Sequence, residues 1–372
     1  MKIPVSNPNI NKDDQALVLG ALEAGEISGN FGRFIKEFEN EFAAYCGVKY
    51  GVATSSGTTA LHLAVATLGI KEGDEVLVPT FTNMATFMAV LYQGAKPIPI
   101  DIEPDTLNLN PALLEGKITP KTKAIIVVHI YGHPVDMDPV LKIARKHNLF
   151  VIEDAAEAHG AEYKGKKAGS LSDLACFSFY ANKILTTGEG GMIVTNNEEL
   201  AKKAKSLGSL AYGDKPRFMH KEIGFNYRLT NLQAALGVSQ LKRIDAIIEK
   251  KRKIADFYKK ELAEISDIQL PVEKPYAKNV YWMFHIVLKG ALEGKRDKIM
   301  SALKEKGIET REAFIPFNMQ EIFIAKGLTK KEGCPVANYV AMNGLYLPSG
   351  PDLSEEELKY VADSLKEIIR NT

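Results

Sequence analysis

Cys-Phe-Ser-Phe-Tyr-Ala-Asn-Lys-Ile-Leu-Thr-Thr-Gly-Glu-Gly-Gly-Met, residues 176–192, reads as a strand, a sharp exit carrying one lysine, and a glycine-rich return. The strand is Ala175–Phe179, the lysine is Lys183, and the turn is Gly188-Glu189-Gly190-Gly191. A lysine just past the C-terminal end of a strand stands where open α/β sheets place ligands. Phe179, Tyr180 and Ile184 flank it. Desolvation by such neighbours lowers a lysine pKa and frees the amine as a nucleophile. Taken alone, the plainer reading is a surface lysine.

Outward from this stretch, short apolar runs alternate with helical periodicity. Strands are predicted at Gly51–Thr54, Val76–Val78, Pro97–Asp101, Ala124–Val128, Phe150–Glu153 and Met192–Thr195, and helices at Thr58–Leu68, Asn83–Gln93, Met137–His147 and Glu198–Leu207. Uninterrupted apolar strands such as Ala124–Val128 suit a sheet covered on both faces. Strand–helix alternation implies an α/β fold with a mainly parallel sheet flanked by helices. Beyond Arg228 the pattern changes. Residues 230–264 read as one long helix, followed by a Pro-bearing linker (Pro271–Pro275), a strand (Val280–Leu288) and a helix (Arg296–Lys306). A loop of aromatics and prolines and a last helix from Ser354 close the chain; Ser354 with Glu357 is a capping box. The expected division is a large α/β domain over 1–245 and a smaller α+β domain over 246–372. The basic run Lys250–Lys253 reads as a solvated face, and Trp282, in an apolar run, as core.

Two further stretches carry chemistry. Val151-Ile152-Glu153-Asp154 ends an apolar strand in two acids, and strand alternation separates their directions. The buried one needs a cationic partner, either an arginine or a protonated pyridine nitrogen. Ser56-Gly57-Thr58-Thr59, between a strand and a helix, makes either an ordinary helix cap or an anion cradle. It matches neither a Walker loop nor a dinucleotide fingerprint. Cradle, acid and lysine together have one economical explanation: they hold pyridoxal 5′-phosphate, with phosphate on the helix end, ring nitrogen on Asp154 and aldehyde on Lys183.

Bulk properties narrow the field without naming a partner. The 372 residues are 45% hydrophobic and 25% charged, with net charge +1, which speaks against a dedicated nucleic-acid binder. No apolar run approaches the roughly 20 residues of a membrane span, and the start shows no signal peptide. Cys46, Cys176 and Cys334 lie too far apart for a disulfide framework or zinc pattern. A cytoplasmic home is expected, with no metal. His129 and His133 read as loop and packing residues in preference to metal ligands, His62 as packed, Cys176 as buried and inert, and His159 as a neighbour of the 154/157 pair.

The chain resembles the DegT/DnrJ/EryC1/StrS family of pyridoxal-phosphate-dependent sugar aminotransferases. The resemblance rests on Gly32-Arg33-Phe34-Ile35, Ser56-Gly57-Thr58-Thr59-Ala60-Leu61-His62, Glu153-Asp154-Ala155-Ala156-Glu157, Asn182-Lys183 with Thr186–Met192, and Gly224-Phe225-Asn226-Tyr227-Arg228. It implies a fold-type I aminotransferase acting as a homodimer with shared active sites. By position, Lys183 would bind the cofactor as a Schiff base and shuttle the proton, and Asp154 would pair with the pyridinium nitrogen. Glu157 would stand near the ring hydroxyl. Ser56, Gly57, Thr58 and Ser178 would hold the phosphate, and Asn226 would reach it from the neighbouring subunit. Asn83 stands beside the cofactor where the family usually carries a stacking aromatic. The loop Arg311–Met319, expected to line the sugar site, departs at Arg311-Glu312 and Phe317-Asn318 from relatives that read Arg-Pro and Met-His there. The implied reaction moves the amine of L-glutamate to C4 of a GDP-4-keto-6-deoxyhexose. UDP- or dTDP-linked sugars and C3 amination are alternatives. A related dehydratase carries His at the lysine position, so Lys183 favours amino transfer. A regulatory DNA-binding role and a non-catalytic binding role are the rivals from other classes.

Overall fold

The computed structural model describes residues 2–29, 31–213, 216, 218–220 and 222–372. Its centre is a seven-stranded sheet. In spatial order the strands are Tyr50–Thr54, Gly191–Thr195, Leu174–Ser178, Phe150–Asp154, Thr122–Val128, Glu75–Pro79 and Lys96–Ile100. Gly191–Thr195 runs antiparallel to both neighbours, and every other pairing is parallel. The apolar runs explain why the sheet is covered twice. Along Thr122–Val128, Ala124 and Ile126 enter one buried cluster and Ile125 and Val127 another, on opposite faces. The first cluster is closed by the helices Gly57–Thr67 and Ala85–Tyr92, the second by Met137–His147. Two helices, Lys12–Glu23 and Phe34–Cys46, precede the alternating pattern.

The expected single helix over 230–264 is two, Asn231–Leu241 and Ile244–Leu262. The break falls at Arg243, with φ −122° and ψ 12°. Its guanidinium meets the fully buried carboxylate of Asp14 at 2.6 Å, and no Pro or Gly marks the place. The second helix spans two cores. Ile247 and Ile248 pack with the large sheet's cluster, while Ile254, Tyr258 and Leu262 enter a separate cluster around a four-stranded sheet. That sheet orders Ile268–Gln269, Phe284–Leu288, Gly344–Leu347 and Arg311–Glu312, all antiparallel. Helices Arg296–Glu305 and Glu355–Arg370 cover it, the latter capped by Ser354 and Glu357. We propose the division near 245 because it coincides with the helix break. Ile3, near the N-terminus, forms an isolated bridge to Ile308 and packs with the later core.

Two further expectations need correction. The strand expected over Val280–Leu288 begins only at Phe284, because Tyr281 takes φ +48° and donates its amide to Asn279 Oδ1 at 2.8 Å. The basic run is not uniformly solvated. Lys250 and Lys253 are exposed, but Arg252 pairs with Glu273 at 2.8 Å and Lys251 is buried, donating to the Ser349 carbonyl at 2.6 Å. Among the described residues no helix is long and apolar enough to cross a membrane.

Candidate active site

A cavity of about 310 Å³ opens at the carboxyl ends of the parallel strands. Ser56, Gly57, Thr58, Asn83, Asp154, Glu157, Ser178 and Lys183 all line it. Eight of the nine expected residues therefore meet in one place. The ninth, Asn226, is exposed, accepts from Arg228 Nε at 2.9 Å, and does not line the cavity of its own chain.

Strand alternation decides between the two acids. Both are buried. Glu153 is committed to structure: it bonds His129 Nε2 at 2.9 Å and accepts from Gly169 N, Leu171 N and Ser172 Oγ. Asp154 faces the cavity. It accepts from Thr86 Oγ1 at 2.8 Å and from the Ala156 amide at 3.2 Å. Burial raises its pKa, with those bonds and Lys183 opposing. Among the described residues no cation hydrogen-bonds it. A buried carboxylate in that state is stabilised by a cationic ligand such as a protonated ring nitrogen.

Lys183 sits in the turn after Leu174–Ser178, its amide bonded to the Tyr180 carbonyl at 2.9 Å. Its Nζ lies 3.7 Å from the centroid of the Trp282 ring. Burial lowers the lysine pKa and raises that of Glu157, while the attraction between the two opposes both shifts. Burial is the larger cause for each, so the pair is drawn toward neutrality. Glu157 is oriented by the Tyr131 amide, which donates to it at 2.7 Å. Tyr131 has φ +52°, a left-handed backbone held by its buried ring, which stacks with Phe314 at 5.5 Å.

The cradle has a steric basis. Ser56 caps the helix Gly57–Thr67, its Oγ accepting from Thr59 N at 3.1 Å. The amides of Gly57 and Thr58 have no intrahelical acceptor and are open to an anion. A Cβ on Gly57 would lie 2.6 Å from Ser178 Cβ, and one on Gly191 would lie 2.3 Å from the Ser56 carbonyl oxygen. Only glycines let the helix start approach the strand ends this closely. Cavity, open amides, an acid without a cationic partner and a partly desolvated amine together fit pyridoxal phosphate.

The other side chains singled out in the sequence divide between the cavity and the core. Asn83 lines the cavity but is exposed, and its Oδ1 accepts from Ala85 N at 3.0 Å to start the helix Ala85–Tyr92. Of the loop 311–319, Phe314 lines the cavity, whereas Phe317 and Asn318 do not. Phe317 stacks on Phe87 at 4.0 Å with the rings nearly parallel, and Asn318 accepts from Thr80 Oγ1 at 2.7 Å. That half of the loop is a clasp between the two cores. His159 is buried among Phe42, Phe177 and Phe179 rather than in the cavity wall. His62 is packed and bonded to Tyr227 Oη at 2.8 Å. His129 accepts from Val135 N, and His133 from Lys274 N. Cys176 is buried, its thiol pKa pushed well up by burial. Trp282 is buried in the main core, as expected, and also forms a cavity wall, together with Phe314 and Tyr346. The sequence signal for Trp282 was masked by its apolar neighbours, and Thr86 carried no signal for its bond to Asp154.

A lysine amine, a buried carboxylate without a cationic partner and an open helix start at the mouth of a mainly parallel sheet fit a pyridoxal-phosphate enzyme. Residues 8–366 match the DegT/DnrJ/EryC1/StrS aminotransferase family, and the chain belongs to it. It is similar to the GDP-perosamine synthase of Caulobacter vibrioides, 42% identical over 372 residues covering 99% of this chain and 98% of that one. It is 37% identical over 361 residues to the dTDP-3-amino-3,4,6-trideoxy-alpha-D-glucose transaminase of Streptomyces venezuelae, covering 96% and 92%. The PLP-form structure of Spr1654 from Streptococcus pneumoniae superposes with a TM-score of 0.95 at 27% identity, covering 100% of this chain and 99% of that one. The protein is a pyridoxal-phosphate-dependent aminotransferase.

Proposed function

We propose that the enzyme transfers the amino group of L-glutamate to C4 of a GDP-linked 4-keto-6-deoxyhexose, with Lys183 as the cofactor-anchoring amine. The observation that carries the chemistry is the convergence of Lys183, Asp154 and the open helix start on one cavity. The 42% identity with a GDP-perosamine synthase supports the GDP-linked sugar. When bound, pyridoxal phosphate supplies an electron sink for the carbon that loses its proton.

The chain's own residues supply the rest. Asp154 holds a positive charge at the ring nitrogen, since its buried carboxylate gains a cationic partner only there. The Gly57 and Thr58 amides and Ser178 orient the phosphate. Lys183, its pKa lowered by burial, is available as a free base to take a proton from the donor carbon and return it. Glu157, held by Tyr131 N, keeps the ammonium form of Lys183 within the cavity once it has taken that proton. Trp282 and Phe314 exclude water from one wall. Asn226, outside its own chain's cavity, fits a role across a homodimer interface. Three buried, unpaired cysteines fit a reducing, cytoplasmic setting.

The test is an amine-transfer assay with glutamate over GDP-, UDP- and dTDP-linked 4-keto and 3-keto sugars. The GDP-linked 4-keto sugar should be converted fastest. Preference for a 3-keto or dTDP-linked sugar would overturn the substrate assignment. The role of Lys183 is tested separately: if Lys183→Ala keeps both the visible cofactor absorbance and turnover, that role is wrong.

A further inference from the structure

We propose that Trp282 is a positioning residue for Lys183: its indole N–H pins the lysine's turn, and its ring face receives the lysine's amine when that group is not bonded to the cofactor, holding it as an ammonium once it has taken a proton. The proposal rests on the reading of Lys183 as the cofactor-anchoring amine. Two independent contacts carry it. Nε1 of Trp282 donates to the carbonyl of Asn182, the residue immediately before the lysine, at 2.9 Å. The same ring presents its face to Lys183 Nζ at 3.7 Å. A tryptophan face is the strongest aromatic partner for a cation, so it favours the ammonium form once Lys183 has taken a proton.

Trp282 is itself held in place. It follows Tyr281, whose left-handed backbone (φ +48°) is tied by Asn279. Its main-chain nitrogen lies 3.0 Å from where a Cβ on Gly132 would stand, so the backbone of the strand-end loop 129–133 abuts it without a side chain between. The residue therefore reaches the lysine turn from the later half of the chain with little freedom. Placement matters because the free amine of Lys183 must reach the reacting carbon to move a proton in each half of the reaction. A base displaced by about an ångström can lose on the order of a hundredfold in rate.

Neither contact alone is enough to define the role, and they can be separated. Phenylalanine keeps an aromatic face and loses the N–H. Leucine loses both. The charged or titratable groups that share the field of Lys183 are Asp154, Glu157 and His159.

Trp282 is the only tryptophan of the chain, so the emission of the cofactor-free protein reports this ring alone. Emission of the wild type should change with pH in a single step below the ordinary lysine range, and Lys183→Met should abolish that step. An identical titration in Lys183→Met would overturn the proposal, because the signal would then come from the neighbouring acids or His159. In the loaded enzyme, Trp282→Leu should lower kcat by about tenfold to a hundredfold, with KM for glutamate little changed and the lysine-dependent limb of the pH profile displaced. Trp282→Phe should fall between it and wild type. A Trp282→Leu enzyme with unaltered kcat and pH profile would overturn it, as would a loss confined to melting temperature. If Lys183→Ala instead retains cofactor absorbance and turnover, it is the underlying reading of the lysine that fails.

Discussion

Gly57 has no room for a side chain, and the reason is functional. A Cβ there would stand 2.6 Å from Ser178 Cβ, so Gly57→Ala must push the helix start away from the strand end. Its own and Thr58's amides would move off the phosphate position together. Cofactor affinity should fall by about tenfold or more, the scale of one charge-assisted hydrogen bond to an anion. Titrating cofactor-free protein by quenching of Trp282 emission measures it; an unchanged affinity would remove Gly57 from the cradle. Thr86→Val makes a companion test on Asp154. It removes the 2.8 Å bond to the carboxylate while nearly keeping shape, which raises the acid's pKa further. Activity should then fall chiefly at low pH, where the carboxylate is protonated first, and the acidic limb of the kcat profile should move upward. Gly57 was legible as a helix start because Ser56 and Thr59 stand at capping spacing. Its contact with Ser178, like Thr86's with Asp154, joins residues remote in sequence, and no local pattern encodes that.

The loop after Glu312 divides its work between site and scaffold, and this separates specificity from stability. Phe314 lines the cavity, while Phe317 stacks on Phe87 and is fully buried. Phe317→Ala should cost about 3–5 kcal/mol, as large-to-small core changes do, and leave the ratio of kcat/KM between two nucleotide sugars unchanged. Phe314→Ala should alter that ratio. Thermal melts and paired kinetics on both variants decide; a changed ratio in Phe317→Ala would return the whole loop to the sugar site. The seven strands of the main sheet were readable because each is an apolar run bounded by turns. The helix break at Arg243 was not readable, because its cause is the buried carboxylate of Asp14 and not a local breaker residue. Tyr281 ended an apparent strand for a similar reason: Val280–Leu288 is apolar throughout its first half, but the tie to Asn279 turns the backbone left-handed. The acids of 153–154 were placed correctly as a pair with diverging directions, and only the structure shows that Glu153 is consumed by His129 and the 169–172 backbone.

At the scale of the whole molecule, the helix Ile244–Leu262 runs from one core into the other, and Lys251 sits between the residues that enter each. The lysine is buried, and burial alone pushes its pKa down to about 7. Its hydrogen bonds go to the carbonyl and hydroxyl of Ser349, neither of which carries charge. An amine with a folded pKa below its unfolded value of about 10.4 binds fewer protons when folded. Stability must therefore rise with pH across the window between the two values. Below about pH 7 both states are protonated, and the folded state carries the full cost of the buried charge. Above the unfolded value both are neutral and the cost is gone. Lys251→Met removes the charge and keeps most of the volume, at the expense of leaving the Ser349 carbonyl without its donor. It should stabilise the protein by roughly 1–3 kcal/mol at pH 6, after that lost bond is allowed for. The gain should shrink steadily as pH is raised toward 10. Melting temperatures of wild type and variant, measured at matched ionic strength across this range, test it. A gap independent of pH would mean that the ammonium at the seam is not the source of the cost, and that the two cores meet around a lysine already relieved by solvent.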